Sequence, residues 1–128
     1  MIAYLKGIVA AKTNESLIVV NNDLGFEVAV PVSLWRKAVL HAPIEFFTHE
    51  YIREDSRELY GFATLGELQF FRKLLTVSGV GPRSALNLFS LGTLPEIQTA
   101  IAGGNIAYLT AIPRVGTKIA QKIVLELK

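Results

Sequence analysis

Ser78-Gly79-Val80-Gly81-Pro82-Arg83-Ser84-Ala85 and Pro113-Arg114-Val115-Gly116-Thr117-Lys118-Ile119-Ala120 are two copies of one pattern, offset by 35 residues. Val80 matches Val115, Gly81 matches Gly116, Arg83 matches Lys118 and Ala85 matches Ala120. Each copy follows a short amphipathic segment and opens a new helix, so the expected unit is helix, glycine-rich turn, helix. That order is the helix–hairpin–helix motif.

The residue types explain what such a turn can do. Glycines allow positive φ, and the missing side chain lets a phosphate approach the backbone. Val80 and Val115 are expected to anchor each hairpin between its helices. The N–H groups that open the second helix of each copy lack intrahelical partners and form an anion site with the helix dipole. Arg83 and Lys118 add charge beside it, and Ser84 and Thr117 can donate hydroxyls. Nothing in this set reads base edges, so it would position DNA without specifying sequence. One copy alone reads equally well as helix-ending glycines in a tight corner. Two copies, each with a basic residue two places after the last glycine, favour phosphate binding. Arg114 stands where the motif usually has glycine. Either that turn needs no positive φ, or the second hairpin is strained and its arginine compensates by reaching a phosphate.

Outward from the repeat, the helical pattern reaches back to Ala63. Leu65, Leu68, Phe71, Leu74 and Leu75 recur at helical spacing. Thr93-Leu94-Pro95-Glu96 predicts a capping box with proline near the first helical position. Its helix should stop at Gly103-Gly104, with Asn105 capping the next. Ile119, Ala120, Ile123, Val124 and Leu127 mark a final amphipathic helix.

Before Ala63 the period changes to that of strands. Met1 to Ala11 predicts a strand largely buried on both faces. Leu17 to Val20, the alternating Phe26, Val28 and Val30, Ile44 to Ile52, and Glu58 to Phe62 predict four more. Asn21 to Gly25 is a hairpin turn by composition, and Ser33 to Lys37 a short helical turn. Five short strands in about 60 residues predict a small closed barrel of the OB type. The expected fold is therefore α+β with two domains: a five-stranded OB-fold barrel over residues 1–63 and an all-α tandem helix–hairpin–helix domain over 64–128. Trp35, His41 and His49 read as packing or surface residues, because no cluster surrounds either histidine.

Composition narrows the function. Residues 1–63 carry six Lys/Arg against eight Asp/Glu, a net of −2, while residues 64–128 carry seven against three, a net of +4. The repeat thus lies in the basic half, where a polyanion would sit. The chain has no cysteine, so disulfides and thiolate metal sites are excluded. No apolar run approaches the roughly 20 residues a membrane span requires, and no leader pattern opens the chain. The expectation is a cytoplasmic protein with no membrane partner.

At this point the whole chain resembles the RuvA family. The specific parts are Met1-Ile2 with Leu5 and Gly7, Arg53-Glu54-Asp55 followed by Leu59-Tyr60-Gly61-Phe62, and the two hairpins in this order. The resemblance implies a homotetramer, with a second tetramer able to form an octamer on DNA, that holds an open four-way (Holliday) junction for branch migration in recombination and repair. It implies a RuvB-type motor ATPase and the RuvC resolvase as partners, and no cofactor, metal or catalytic residue of its own. It places Gly79, Val80, Gly81, Arg83 and Ser84 in a first phosphate clamp. A second comprises Val115, Gly116, Thr117 and Lys118, with Arg114 and Lys122 as supporting cations. Glu54 and Asp55 match an acidic pin near the four-fold axis, which would repel phosphates at the crossover; read without the family, Arg53 to Arg57 is a solvated turn. The family continues into a third helical domain that contacts RuvB. This sequence ends at Lys128, so junction binding without productive motor coupling is expected; branch migration at normal rates would sink that expectation.

Two other classes compete. A helix–hairpin–helix glycosylase needs an aspartate shortly after its hairpin, and no aspartate follows Gly81. A metal-dependent nuclease built on Glu50, Glu54 and Asp55 fails because Glu54 and Asp55, placed on a strand, would face opposite ways. The alternative to junction binding is a sequence-independent duplex-binding module without junction preference.

Overall fold

The computed structural model describes all residues, Met1–Lys128. Strands β1 (Tyr4–Lys12), β2 (Ser16–Asn21) and β3 (Leu24–Ala29) form a meander, followed by helix α1 (Val32–Lys37), β4 (Pro43–Ile52) and β5 (Arg57–Phe62). The strands close in the order β1-β2-β3-β5-β4, with β3 and β5 parallel and every other pair antiparallel. The expected five-stranded barrel is present.

Local chemistry explains the closure. Asn22 and Asp23 take φ of 49° and 64° between the paired Asn21 and Leu24, a two-residue turn whose twist matches that of the strands it joins. At Gly7 a side chain would meet the Val20 carbonyl oxygen at 2.4 Å, so only glycine lets β1 cross β2 this closely. Leu5, Val9, Leu17, Val19, Val28, Val30 and Phe46 fill the interior, with Trp35 of α1 packed against them. The Trp35 indole donates to the Thr13 carbonyl at 2.8 Å, and Lys12 lies over its ring. Trp35 is a packing residue.

One strand departs from expectation. Only Leu5 and Val9 of β1 are buried, whereas Tyr4 and Ile8 are 48% and 44% exposed. A barrel of this size has a single interior, and alternation along a strand sends every second side chain outward. Hydrophobic residues on both parities therefore did not mean burial on both faces.

The second part of the chain is helical: α2 (Leu65–Leu75), α3 (Pro82–Leu88), α4 (Leu94–Ala102), α5 (Ile106–Leu109) and α6 (Thr117–Leu127). The chain divides into compact units Met1–Leu68 and Gln69–Lys128, so the dividing line falls within α2. The capping box is formed, with Thr93 Oγ1 accepting from the Glu96 N–H and Glu96 Oε1 accepting from the Thr93 N–H. Gly104 ends α4 at φ 68°, and Asn105 caps α5 by accepting from the Tyr108 N–H at 3.1 Å. No helix is long and apolar enough to cross a membrane.

Candidate nucleic-acid interface

The sequence repeat is a structural repeat. In the first hairpin, between α2 and α3, the Val80 N–H donates to the Val77 carbonyl at 3.0 Å. In the second, between α5 and α6, the Val115 N–H donates to the Ile112 carbonyl at 3.2 Å. Gly79 has φ +91° and Arg114, 35 positions later, φ +73°. Gly81 and Gly116 are the N-caps of α3 and α6, both extended, with φ of −91° and −83°. Their carbonyls accept the first helical bonds, from Ala85 at 3.0 Å and Ala120 at 2.9 Å.

This geometry settles the two readings left open for Arg114. The turn does require positive φ, and a residue with a Cβ occupies it. Left-handed backbone costs such a residue about 1–2 kcal/mol. The second hairpin is the strained one.

It also corrects the role given to Gly81 and Gly116. Neither uses a conformation reserved for glycine. A Cβ built on either would meet no atom of the chain within 4 Å. The fold gives no reason for these glycines, and each faces open space beside a helix N-terminus. Absence of a side chain matters there only if something outside the chain comes close.

Capping sharpens the point. Helices α4 and α5 are closed by their own side chains, Thr93 and Asn105. No side chain caps α3 or α6. The N–H groups of Arg83 and Ser84, and of Thr117, Lys118 and Ile119, are the first-turn donors without intrahelical acceptors. Pro82, at the first position of α3, has no N–H to offer.

The motif cations lie within a few residues of these openings. Arg83, Arg114, Lys118 and Lys122 are all exposed, and Lys118 and Lys122, one helical turn apart, share a face of α6. Ser84 is half-buried and Thr117 exposed. Val80 and Val115 are buried, at 6% and 3% exposure, so they anchor the turns and present no side chain to a ligand. Gly79 lies beside the first turn of α6: a Cβ there would sit 3.5 Å from Ile119 Cγ1. The first turn is thus seated next to the start of α6.

Burial shows how far the repeat extends. Leu74 and Leu109, Ala85 and Ala120, and Leu88 and Ile123 are buried pairs at the same offset, as are Val77 and Ile112. Apart from Ala85 and Ala120, these pairs escaped the sequence reading because any aliphatic residue serves at a buried position. The positions facing solvent kept their glycines and cations, and those were legible.

Glu54 and Asp55 lie in the four-residue turn between β4 and β5, closed by the Arg53 N–H donating to the Ser56 carbonyl at 2.8 Å. Both are exposed. They stand at the tip of a hairpin rather than on a strand, so the opposite-faces argument against a nuclease does not apply as stated. No group of three or more His, Asp or Glu side chains is arranged to hold a metal ion.

Residues 1–61 match the family described as RuvA N terminal domain, and residues 71–128 the SAM-like helix-hairpin-helix tandem. Along its whole length the chain is 41% identical to a protein of Roseiflexus sp. (strain RS-1) and 39% identical to one of Ruminiclostridium cellulolyticum. It is 40% identical to one of Pseudomonas fluorescens. Each is named Holliday junction branch migration complex subunit RuvA. The chain spans 64–66% of the length of these curated relatives.

Proposed function

The chain belongs to the RuvA family, and from that premise we propose that it binds four-way (Holliday) DNA junctions as a non-catalytic subunit of a branch-migration complex. The observation that carries this reading is the pair of uncapped helix N-termini, each preceded by a glycine whose Cβ position is open space. Oriented N–H groups and the positive end of the helix dipole hold a phosphate oxygen, and glycine admits the phosphate to hydrogen-bond distance. Gly79, Gly81, Arg83 and Ser84 form one clamp. Gly116, Thr117 and Lys118 form the other, with Arg114 and Lys122 beside it. Two clamps on one helical domain (residues 64–128) grip a duplex arm through its backbone, without regard to sequence.

The barrel domain (residues 1–63) supplies shape selectivity. Four copies around a junction would bring four Glu54-Asp55 tips to the crossover, where their charge repels phosphate and disfavours continuous duplex. Tyr4 and Ile8 on the barrel and Leu65 on α2 are exposed apolar residues, and these elements are the candidates for contact between copies. In the full-length family the motor partner is a RuvB-type ATPase and the nuclease partner the RuvC resolvase; the reading proposed for residues 1–128 is the junction binding itself.

The test is a titration against an immobile four-way junction and a duplex of equal length, without Mg²⁺, across a range of salt. Strong junction preference in discrete complexes of tetramer size is expected. With two phosphates per copy, a tetramer neutralises about eight, and log affinity should fall with log salt at a slope near −7. Equal affinity for both DNAs would reduce the chain to a duplex-binding module. A slope near −2 would mean that a single copy makes the contact.

A further inference from the structure

The tip of the β4–β5 hairpin presents an electrostatic problem. Arg53-Glu54-Asp55-Ser56-Arg57 carries two cations and two anions, so its formal charge is zero. A neutral loop would repel nothing. The structure draws one of the two cations, Arg57, away from the tip, while Arg53 stays within electrostatic reach of Asp55. Arg57 pairs with Glu50, guanidinium nitrogen to carboxylate oxygen at 2.9 Å, and Arg53 donates to the Tyr51 hydroxyl at 3.1 and 3.3 Å with its guanidinium over the Tyr51 ring. No ion pair involves Glu54 or Asp55.

Glu50 is the anchored member of this arrangement. Its side chain is 8% exposed, against 72% for Arg57. Its second carboxylate oxygen accepts from the Ile2 N–H at 2.6 Å. The neighbouring Thr48 hydroxyl donates to the Ile2 carbonyl at 2.7 Å, and the Thr48 N–H to Ala3 at 2.9 Å, so the N-terminal residues are stitched along β4. The register explains the reach: Glu50 pairs with Leu59 and Ile52 with Arg57, which makes Glu50 and Arg57 diagonal neighbours on one face. The Ile2 N–H and then Arg57 hold the Glu50 carboxyl below its ordinary range, so it is charged at neutral pH.

We propose that Glu50 is a positioning and specificity-determining residue: by holding Ile2 and Arg57 at the root of the hairpin, it withdraws that arginine's charge from the tip and leaves Glu54 and Asp55 facing a single cation, Arg53, so that the tip stays net negative. This deepens the junction-binding reading and rests on it. Arg53, bonded to the Tyr51 hydroxyl on the opposite face, still feels the charges of Asp55 and Glu58, so it remains a cation near the tip. Within a Debye length of about 8–10 Å, a cation drawn back along the strand screens the tip less than one lying against it.

The experiment measures junction and duplex affinities of four versions of the chain: unaltered, Glu50→Gln, Arg57→Gln and the double variant. In Glu50→Gln the released Arg57 should neutralise the tip, and junction preference should fall by about threefold to tenfold, chiefly through tighter duplex binding. Arg57→Gln should keep or increase the preference. The double variant should recover it, because the released cation is gone. A purely structural Glu50 would instead lower both affinities together, and removing Arg57 would rescue nothing. Unaltered preference in Glu50→Gln, or no recovery in the double variant, would overturn the proposal while leaving junction binding intact. An unaltered protein without junction preference would overturn the underlying reading, and the proposal with it.

Discussion

The first hairpin turns on Gly79 and enters its helix through Pro82; the second turns on Arg114 and enters through Thr117. Their backbones follow the same path, yet they divide stability and charge differently. The first is relaxed at its positive-φ position and stiffened by proline, but it offers one fewer first-turn N–H and one motif cation, Arg83. The second carries a strained arginine, all three first-turn donors, and the cations Arg114, Lys118 and Lys122. Strain at Arg114 is tolerated because the buried Val115 and Ile112 hold the turn from both sides. A repeated motif therefore need not give repeated energetics: the second clamp should be the stronger phosphate site and the weaker turn.

The largest expected effect comes from filling the open glycine positions. Gly116→Asp places a carboxylate where the phosphate would sit, in a backbone conformation any residue adopts. It should lower DNA affinity at least about tenfold, equivalent to about 1.4 kcal/mol, and Gly81→Asp somewhat less. Aspartate is also a good N-cap, so the melting temperature should hold or rise. Binding that survives both substitutions would remove the phosphate reading; equal losses at the two sites would break the asymmetry.

A smaller effect tests the strain. Arg114→Gly relieves the left-handed backbone but gives up some unfolded-state restriction, for a net gain of about 0.5–1 kcal/mol. It also removes a cation, so DNA affinity and the salt slope should both drop. Gly79→Ala, at the equivalent position, should cost about 1 kcal/mol. Denaturant titration of the pair settles the matter: the same sign of change in both would mean the turns are not equivalent.

The smallest effect contrasts the open helices with a closed one. The Thr93 N–H and hydroxyl hold the Glu96 carboxyl below its ordinary range. A lowered folded pKa contributes stability that is complete above the ordinary carboxylate range and is lost as pH falls through the folded value. Glu96→Gln, which removes the titrating carboxyl, should therefore flatten the acid side of the stability curve. Thr93→Ala keeps the N–H that accounts for most of the lowering and should cost only the hydroxyl cap, about 1 kcal/mol. The uncapped α3 and α6 have no such dependence to lose. An unchanged acid profile in Glu96→Gln would show that the capping box contributes little.

The sequence by itself determined the architecture. Period-two and period-3.6 patterns switch at Ala63, Asn22-Asp23 has a turn composition, and a duplicated valine–glycine pattern followed two places later by a cation names its own geometry. These features are local, so they survive in a linear string. The capping box and Asn105 were legible for the same reason: each involves residues within three positions of one another.

What needed the tertiary structure was every relation between distant residues. Which parity of β1 faces the interior depends on where the barrel closes, not on the hydrophobicity of Tyr4 or Ile8. The strain at Arg114 became visible only once its turn could be laid on that of Gly79. The state of the acidic tip was beyond any reading of Arg53 to Arg57, where charges cancel on paper. Strand register and the N-terminal strap put Glu50 against Arg57, and that placement decides which charges remain at the tip.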